Sequence, residues 1–302
     1  MAISAAQIKE LRARTGAGMM DCKAALGETG GDLDAAIEAL RKKGVATAEK
    51  KAGRIAAEGV IALAGDARAA ALVEVNCETD FVAKDASFTR YADAVAAAIL
   101  AARPADSSAL GAVALDGGTV EQARQELIAK IGENIGVRRF ALLEADGDAA
   151  RVGAYLHGAR IGVLVELHGL SLAPDDADAH EQLGRDLAMH IAASRPLCIG
   201  EDDMPAQMLA KEREIFLAQA ADSGKPPQIA EKMVAGRMKK FLKENTLLGQ
   251  PFVKNPEQSV QQLIAAASAQ VARMVRFEVG EGLAKRGDDF VAEVMAQADA
   301  AR

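Results

Sequence analysis

One apolar-acidic pattern occurs twice along this chain and constrains its fold more than any other feature. Leu72-Val73-Glu74-Val75 is echoed by Leu164-Val165-Glu166-Leu167, and Ala101-Ala102-Arg103-Pro104 is echoed by Ala193-Ser194-Arg195-Pro196 at the same offset. Between these anchors Val95, Ala96 and Ile99 fall, at that offset, on Leu187, Ala188 and Ile191. A chance echo in an alanine-rich chain is the rival reading. The shared offset predicts two copies of one α+β unit, each running strand, strand, loop and amphipathic helix, closed by a proline. With no Trp, two Tyr and eight Phe in 302 residues, alanine and aliphatic side chains must fill the core, which favours close-packed helices.

The flanks read differently. Ser4 and Gln7 form a capping-box pair ahead of Ile8 and Leu11, and Gly16 and Gly18 predict a sharp stop. A second helix is expected from Met19 to about Glu28, broken at Gly30-Gly31. Asp32 caps a third, carrying Ile37 and Leu40 and expected to end at Lys42-Lys43-Gly44 with cations on its last turn. The charged stretch from Glu49 to Arg54 reads as a linker. From Met204 to Glu244 the pattern is helix, tip, helix, broken at Ser223-Gly224-Lys225-Pro226-Pro227. Ala230, Val234, Met238 and Phe241 share one helical face there, while Met208, Glu212, Ile215 and Gln219 share a half-apolar one. Asn255-Pro256-Glu257 reads as a helix start, Val275, Phe277 and Val279 as a half-buried strand, and Asp288 to Ala301 as a last amphipathic helix with Phe290 and Val294 one turn apart.

Covalent chemistry finds little support. The chain has no GxxxxGK[ST] run to cradle phosphates, no GxGxxG opening a helix, and no HExxH or GxSxG. Gly30-Gly31 and Gly117-Gly118 read as turns. His157, His168, His180 and His190 lack metal-ligand spacing, so neither a metal nor a cofactor is expected. Cys22, Cys77 and Cys198 are too scattered for a zinc site or disulfide framework and fit a reducing cytoplasm. The net charge of −7 disfavours a phosphate backbone as ligand. The cluster Lys232, Arg237, Lys239, Lys240 and Lys243 suggests RNA but is better read as a solvated hairpin face. Neither a signal peptide nor an apolar span of membrane length is read from the sequence, so no membrane partner is expected.

The most informative stretch runs from Asn76 to Asp85, after the apolar strand at Leu72–Val75. Two readings stand. In one, Thr79 or Asp80 caps the next helix and Phe81 tucks into the core. In the other, Asp80-Phe81 is an exposed tip that pairs a carboxylate with an apolar wedge.

Leu11–Leu26 (LRARTGAGMMDCKAAL) resembles the N-terminal signature of bacterial elongation factor Ts, and Glu74–Val82 (EVNCETDFV) resembles its second signature. Lys130–Ile135, His157–Gly162, Gly249–Phe252 and Arg276–Gly282 match as well, in the family's order, while segments 103–118 and 170–182 look longer than usual. The resemblance implies an α+β fold: a three-helix ubiquitin-associated-like module at 1–54, and a core of two duplicated α+β subdomains with small antiparallel sheets. These subdomains are expected at 55–150 and at 151–198 with 248–281. A protruding coiled-coil hairpin is expected at 199–247 and a C-terminal helical module at 282–302.

It further implies an exchange factor that acts by protein contact in the cytoplasm. Such a factor binds elongation factor Tu carrying GDP, dislodges Mg²⁺ and promotes GDP release. By this carry-over Phe81 is the wedge, while Asp80, with Val82 and Ala83 shaping the tip, dislodges the metal. Ile131, Gly132 and His157 are supporting contacts, and Met19 and Met20 belong to the docking module. The hairpin is implicated in homodimerisation. Rival classes are a scaffold that merely binds partners through residues 1–50 and a nucleotide-dependent enzyme.

Overall fold

The computed structural model describes residues 3–171, 177–222 and 226–283. Two compact units are present: 3–64 with 71–142 and 277–283, and Gly65–Ala70 with Leu143–Arg276.

The first unit opens with helices α1 (Ala5–Thr15), α2 (Met19–Glu28) and α3 (Leu33–Lys51). Ser4 Oγ accepts the Gln7 N–H while the Gln7 side chain accepts the Ser4 N–H, so two otherwise orphaned donors are satisfied at the start of α1. Leu11, Cys22, Leu26 and Ala36 close a core between the three helices. The third helix does not stop at Gly44 as its sequence suggests. It runs on into the expected linker, to Lys51, because α3 packs along a later helix: a Cβ at Gly44 would meet the Gln125 carbonyl and the Ala129 Cβ at ordinary van der Waals distance. Tertiary packing outweighs the helix cost of one glycine, which is about 1 kcal/mol.

Strands β1 (Glu58–Gly65) and β2 (Ala69–Cys77) form a hairpin. The short helix α4 (Asp80–Ala83) and the long helix α5 (Ala86–Ala102) follow. Segment 103–118 contains α6 (Ser107–Gly111) and strand β3 (Ala114–Leu115), whose partner β4 is Gly118–Thr119. Helix α7 (Val120–Ile131) and strand β5 (Gly136–Glu144) complete this unit, in which β2 lies between β1 and β5. One face of α5, with Phe88, Tyr91, Val95, Ala96 and Ile99, is buried in a core shared with Val73 and Val75 of β2.

The second unit holds β6 (Arg151–His157), β7 (Ile161–His168) and α8 (Ala177–Ser194). Helices α9 (Ala206–Asp222) and α10 (Pro227–Asn245) form the expected helical pair. Its α9 seam uses half-buried Leu209 and Phe216 and buried Ala220, whereas Met208, Ile215 and Gln219 of the face read from sequence are exposed. Strands β8 (Pro251–Phe252) and β9 (Asn255–Ser259), helix α11 (Val260–Ala266) and strand β10 (Gln270–Glu278) follow. Asn255-Pro256-Glu257 therefore begins an edge strand rather than a helix. The capping box of Ser259 and Gln262 sets the start of α11 instead. Phe277 and Val279 are buried, as the alternation around β10 suggests. The expected tail helix 288–301 and the tip residues 223–225 lie outside the described residues.

The two sheets repeat one topology, since a hairpin, a helix and a later third strand give the orders β1-β2-β5 and β10-β7-β6. Their details repeat too. Val95, Ala96 and Ile99 are buried, as are Leu187, Ala188 and Ile191. Arg103 and Arg195, each ahead of a proline, both sit at φ 50, a left-handed conformation uncommon outside glycine. Glu74 and Glu166, at equivalent places on the central strands, are both buried carboxylates gripped by arginine from the third strand.

In the second unit α8 crosses β6 with backbones touching: a Cβ on Gly153 would lie 2.4 Å from the Gly184 carbonyl. Neither side is a flexible side chain that can yield. Gly153→Ala is expected to cost about 3 kcal/mol. Gly236→Ala, placed in open space on α10, is expected to stabilise by about 0.5–1 kcal/mol. Urea unfolding midpoints check both.

Candidate functional site

Among the described residues Phe81 is the most exposed of the large hydrophobic side chains, at 81 % of its accessible surface. Two consecutive caps explain why. The Thr79 hydroxyl accepts the Val82 N–H and starts the single turn α4, and Asp85 accepts the Ser87 and Phe88 N–H groups and starts α5. The core aromatic is then Phe88, fully buried, while Phe81 on the turn between the caps points outward. Val82 and Ala83 pack their inner sides against the core of the first unit. The reading with Phe81 tucked inside is overturned.

Asp80 pairs with Lys84, whose Nζ lies 2.8 Å from Oδ2. That hydrogen bond is the main reason its carboxyl is held below the usual range. The pair is open to solvent and therefore readily exchanged for another cation.

The base of the turn is held from a distant part of the chain. Glu133 Oε2 accepts the N–H groups of Glu78 and Thr79, each at 3.1 Å, and its Oε1 accepts the Thr79 hydroxyl at 2.7 Å. In return Glu78 Oε1 accepts the Asn134 N–H at 2.6 Å. Ile131 and Gly132 thus lie two residues and one residue before the anchor of the tip. Ile131 is half-buried against the core, and Gly132 ends α7 in a left-handed conformation at φ 88, its carbonyl accepting from Lys51 Nζ. No local pattern links Glu133 to Thr79 across so long a separation, so the sequence by itself does not single it out.

The remaining predicted residues sit elsewhere. Met19 and Met20 are adjacent and exposed on the first turn of α2. His157 belongs to the second unit, exposed at the end of β6 with its Nδ1 3.1 Å from the Tyr155 hydroxyl.

Other candidate chemistry does not assemble. All three cysteines are buried free thiols, and burial pushes Cys77 up to about 12, far from a reactive thiolate. Among the described residues no cluster of three or more His, Cys, Asp or Glu could hold a metal ion, and no helix is long and apolar enough to cross a membrane. Within the basic cluster of α10, Arg237 turns to Gln219 and the Phe216 ring, and Lys240 pairs with Glu244.

These features define an α+β protein whose candidate site is a projecting, pre-formed surface. The profile of the family Elongation factor TS matches residues 78–281. Over its full length the chain is 58 % identical to the elongation factor Ts of Thioalkalivibrio sulfidiphilus, which is itself covered completely. It is also 58 % identical to that of Methylococcus capsulatus, over 98 % of this chain and 99 % of the relative. The elongation factor Ts of Legionella pneumophila (strain Paris) is 52 % identical over 98 % of both chains. The chain belongs to the elongation factor Ts family of protein-synthesis elongation factors.

Proposed function

We propose that this chain is a cytoplasmic guanine-nucleotide exchange factor for elongation factor Tu. It binds the GDP-bound GTPase, weakens its hold on Mg²⁺ and GDP, and leaves the site free for GTP, without making or breaking a covalent bond. The observation that carries the reading is the bare Phe81 ring on a turn braced from both sides, in a chain of this family.

The physics suits the role. A guanine nucleotide in a GTPase is held by Mg²⁺ and by backbone amides around its phosphates, so an intruding side chain that shifts the metal removes much of the binding energy. Asp80 sits one residue from the wedge, in an exposed pair that a partner's cation can replace. Coupling is reciprocal: a factor that loosens GDP is itself loosened by GDP. A thousandfold acceleration needs about 4 kcal/mol off the barrier. Burying one aromatic ring supplies about 1.5–3 kcal/mol. Further contacts must therefore contribute, and Met19, Met20, Ile131, Gly132 and His157 are assigned to that supporting role. Pairing of two copies through α9 and α10 belongs to the same proposal, supported by exposed Met208, Ile215, Leu217 and Ile229 on that hairpin.

The test is the release of labelled GDP from elongation factor Tu with and without the chain. The expected result is strong acceleration by the full chain and none by residues 1–50, the outcome that separates exchange from simple docking. A release rate unchanged by the full chain would falsify the proposal.

A further inference from the structure

We infer that Glu133 is the positioning residue of the Phe81 turn, a role that rests on the exchange reading and deepens it. A carboxylate can only accept hydrogen bonds, and each acceptance by Glu133 has a consequence at the tip. Its Oε2 gathers the two consecutive N–H groups of Glu78 and Thr79, which fixes the peptide plane leading into α4. Its Oε1 takes the proton of the Thr79 hydroxyl at 2.7 Å. With that proton committed, the lone pairs of Thr79 Oγ1 face the Val82 N–H, which is the cap that closes the turn carrying Phe81. One distant side chain thus sets the rotor of the cap as well as the backbone beneath it.

Glu78 makes the lock reciprocal, its carboxylate accepting the Asn134 N–H and reaching Arg54 Nη1 at 3.4 Å. Phe81 contributes little to its own placement, because most of its surface is in water. Without the lock, a four-residue helix has too few hydrogen bonds to persist, since forming a helical nucleus is unfavourable. A wedge on a loosened turn pays its ordering entropy when it inserts, so insertion is slowed.

Glu133→Gln keeps the size of the side chain but puts an amide where acceptors are needed. In the free chain, hydrogen exchange at the Glu78, Thr79 and Val82 amides is expected to accelerate about tenfold or more in Glu133→Gln, while the β2 amides of residues 72–75 stay as slow as before. In the exchange assay, the maximal GDP release rate is expected to fall about tenfold, with the half-saturating concentration little changed. In a Phe81→Ala background the same substitution is expected to cost less than about twofold, since no wedge is left to position. Thr79→Ser, which keeps the hydroxyl, is expected to retain both behaviours, and Thr79→Val to lose them.

Unchanged amide exchange in Glu133→Gln would overturn the lock, whatever the chain does to nucleotide. Equal penalties with and without Phe81 would overturn the positioning role and leave Glu133 as structural. Failure of the unmodified chain to accelerate GDP release would instead strike the exchange reading, while the amide measurement stands on its own.

Discussion

Phe81→Ala is expected to slow GDP release from elongation factor Tu roughly tenfold to a hundredfold while leaving the chain as stable as before. The two halves of that expectation have separate causes. In the free protein the ring is 81 % exposed, so truncating it removes hardly any buried surface and leaves no cavity. The loss therefore falls on whatever the ring meets in the partner. Full burial of a phenylalanine side chain is worth about 1.5–3 kcal/mol, which converts to that range of rates. Assembly with the partner is expected to survive, because the other assigned contacts remain. Stopped-flow release of labelled GDP gives the rate, and the urea midpoint checks the fold. A folded variant with full exchange activity would remove Phe81 from the mechanism.

The second large effect concerns stability. Glu74 is wholly buried in β2. Its carboxylate accepts Arg139 Nε at 2.6 Å, the Gly280 N–H at 2.8 Å, Arg138 Nη1 at 3.0 Å and Asn76 Nδ2 at 3.1 Å. Glu74→Ala strands a buried N–H and two guanidinium groups at once. Removing one partner of a buried ionic cluster costs about 3–5 kcal/mol, and the two arginines, about a quarter exposed, recover part of that from water. A loss of about 3 kcal/mol is expected. Glu38→Ala, which breaks the exposed pair with Lys42, is expected to leave the unfolding midpoint where it was.

The same site gives the fold an acid limit. Burial alone would raise the Glu74 carboxyl, but the Gly280 N–H, Arg139, Asn76 and Arg138 outweigh it and hold it below the usual value. Glu166 is lowered for similar reasons, with Arg273 and His168 overcoming its burial. A carboxylate whose native pKa is depressed stabilises fully above its unfolded pKa, about 4.3. That contribution is lost as the pH falls through the lower native value. Stability of the unmodified chain should therefore drop on acidification from about pH 5 downward, and Glu74→Gln should show a shallower drop. Urea midpoints across that range decide it. Equal slopes would mean that Glu74 does not titrate with unfolding.

Caps and helix faces are legible in the sequence where a residue's near neighbours decide them. The capping boxes at Ser4 and Ser259 rest on partners three residues away, and the first of them was legible at once. The spacing that links Val95 to Leu187 led to two equivalent buried helix faces and, beyond them, to the paired left-handed Arg103 and Arg195. A local signal misleads where a distant contact outvotes it. Gly44 looked like a stop until α7 was there to receive it, and Pro256 looked like a helix start until β8 offered an edge. On α9 the apolar seam runs through Leu209, Phe216 and Ala220, a choice that the opposing helix makes.

The tip shows the division most plainly. The Asn76–Asp85 motif and its family resemblance came from order and residue type alone, because both are properties of a string. The local pattern leaves open whether Phe81 stands inside or outside, since either placement satisfies a local cap, and only the resemblance implies the outside. The outcome depended on Phe88 taking the core position and on Glu133, far along the chain, gripping Thr79. Backbone hydrogen bonding and periodicity act over a few residues, so they are written locally. The competition for buried volume and for a carboxylate's lone pairs is settled only when remote segments meet.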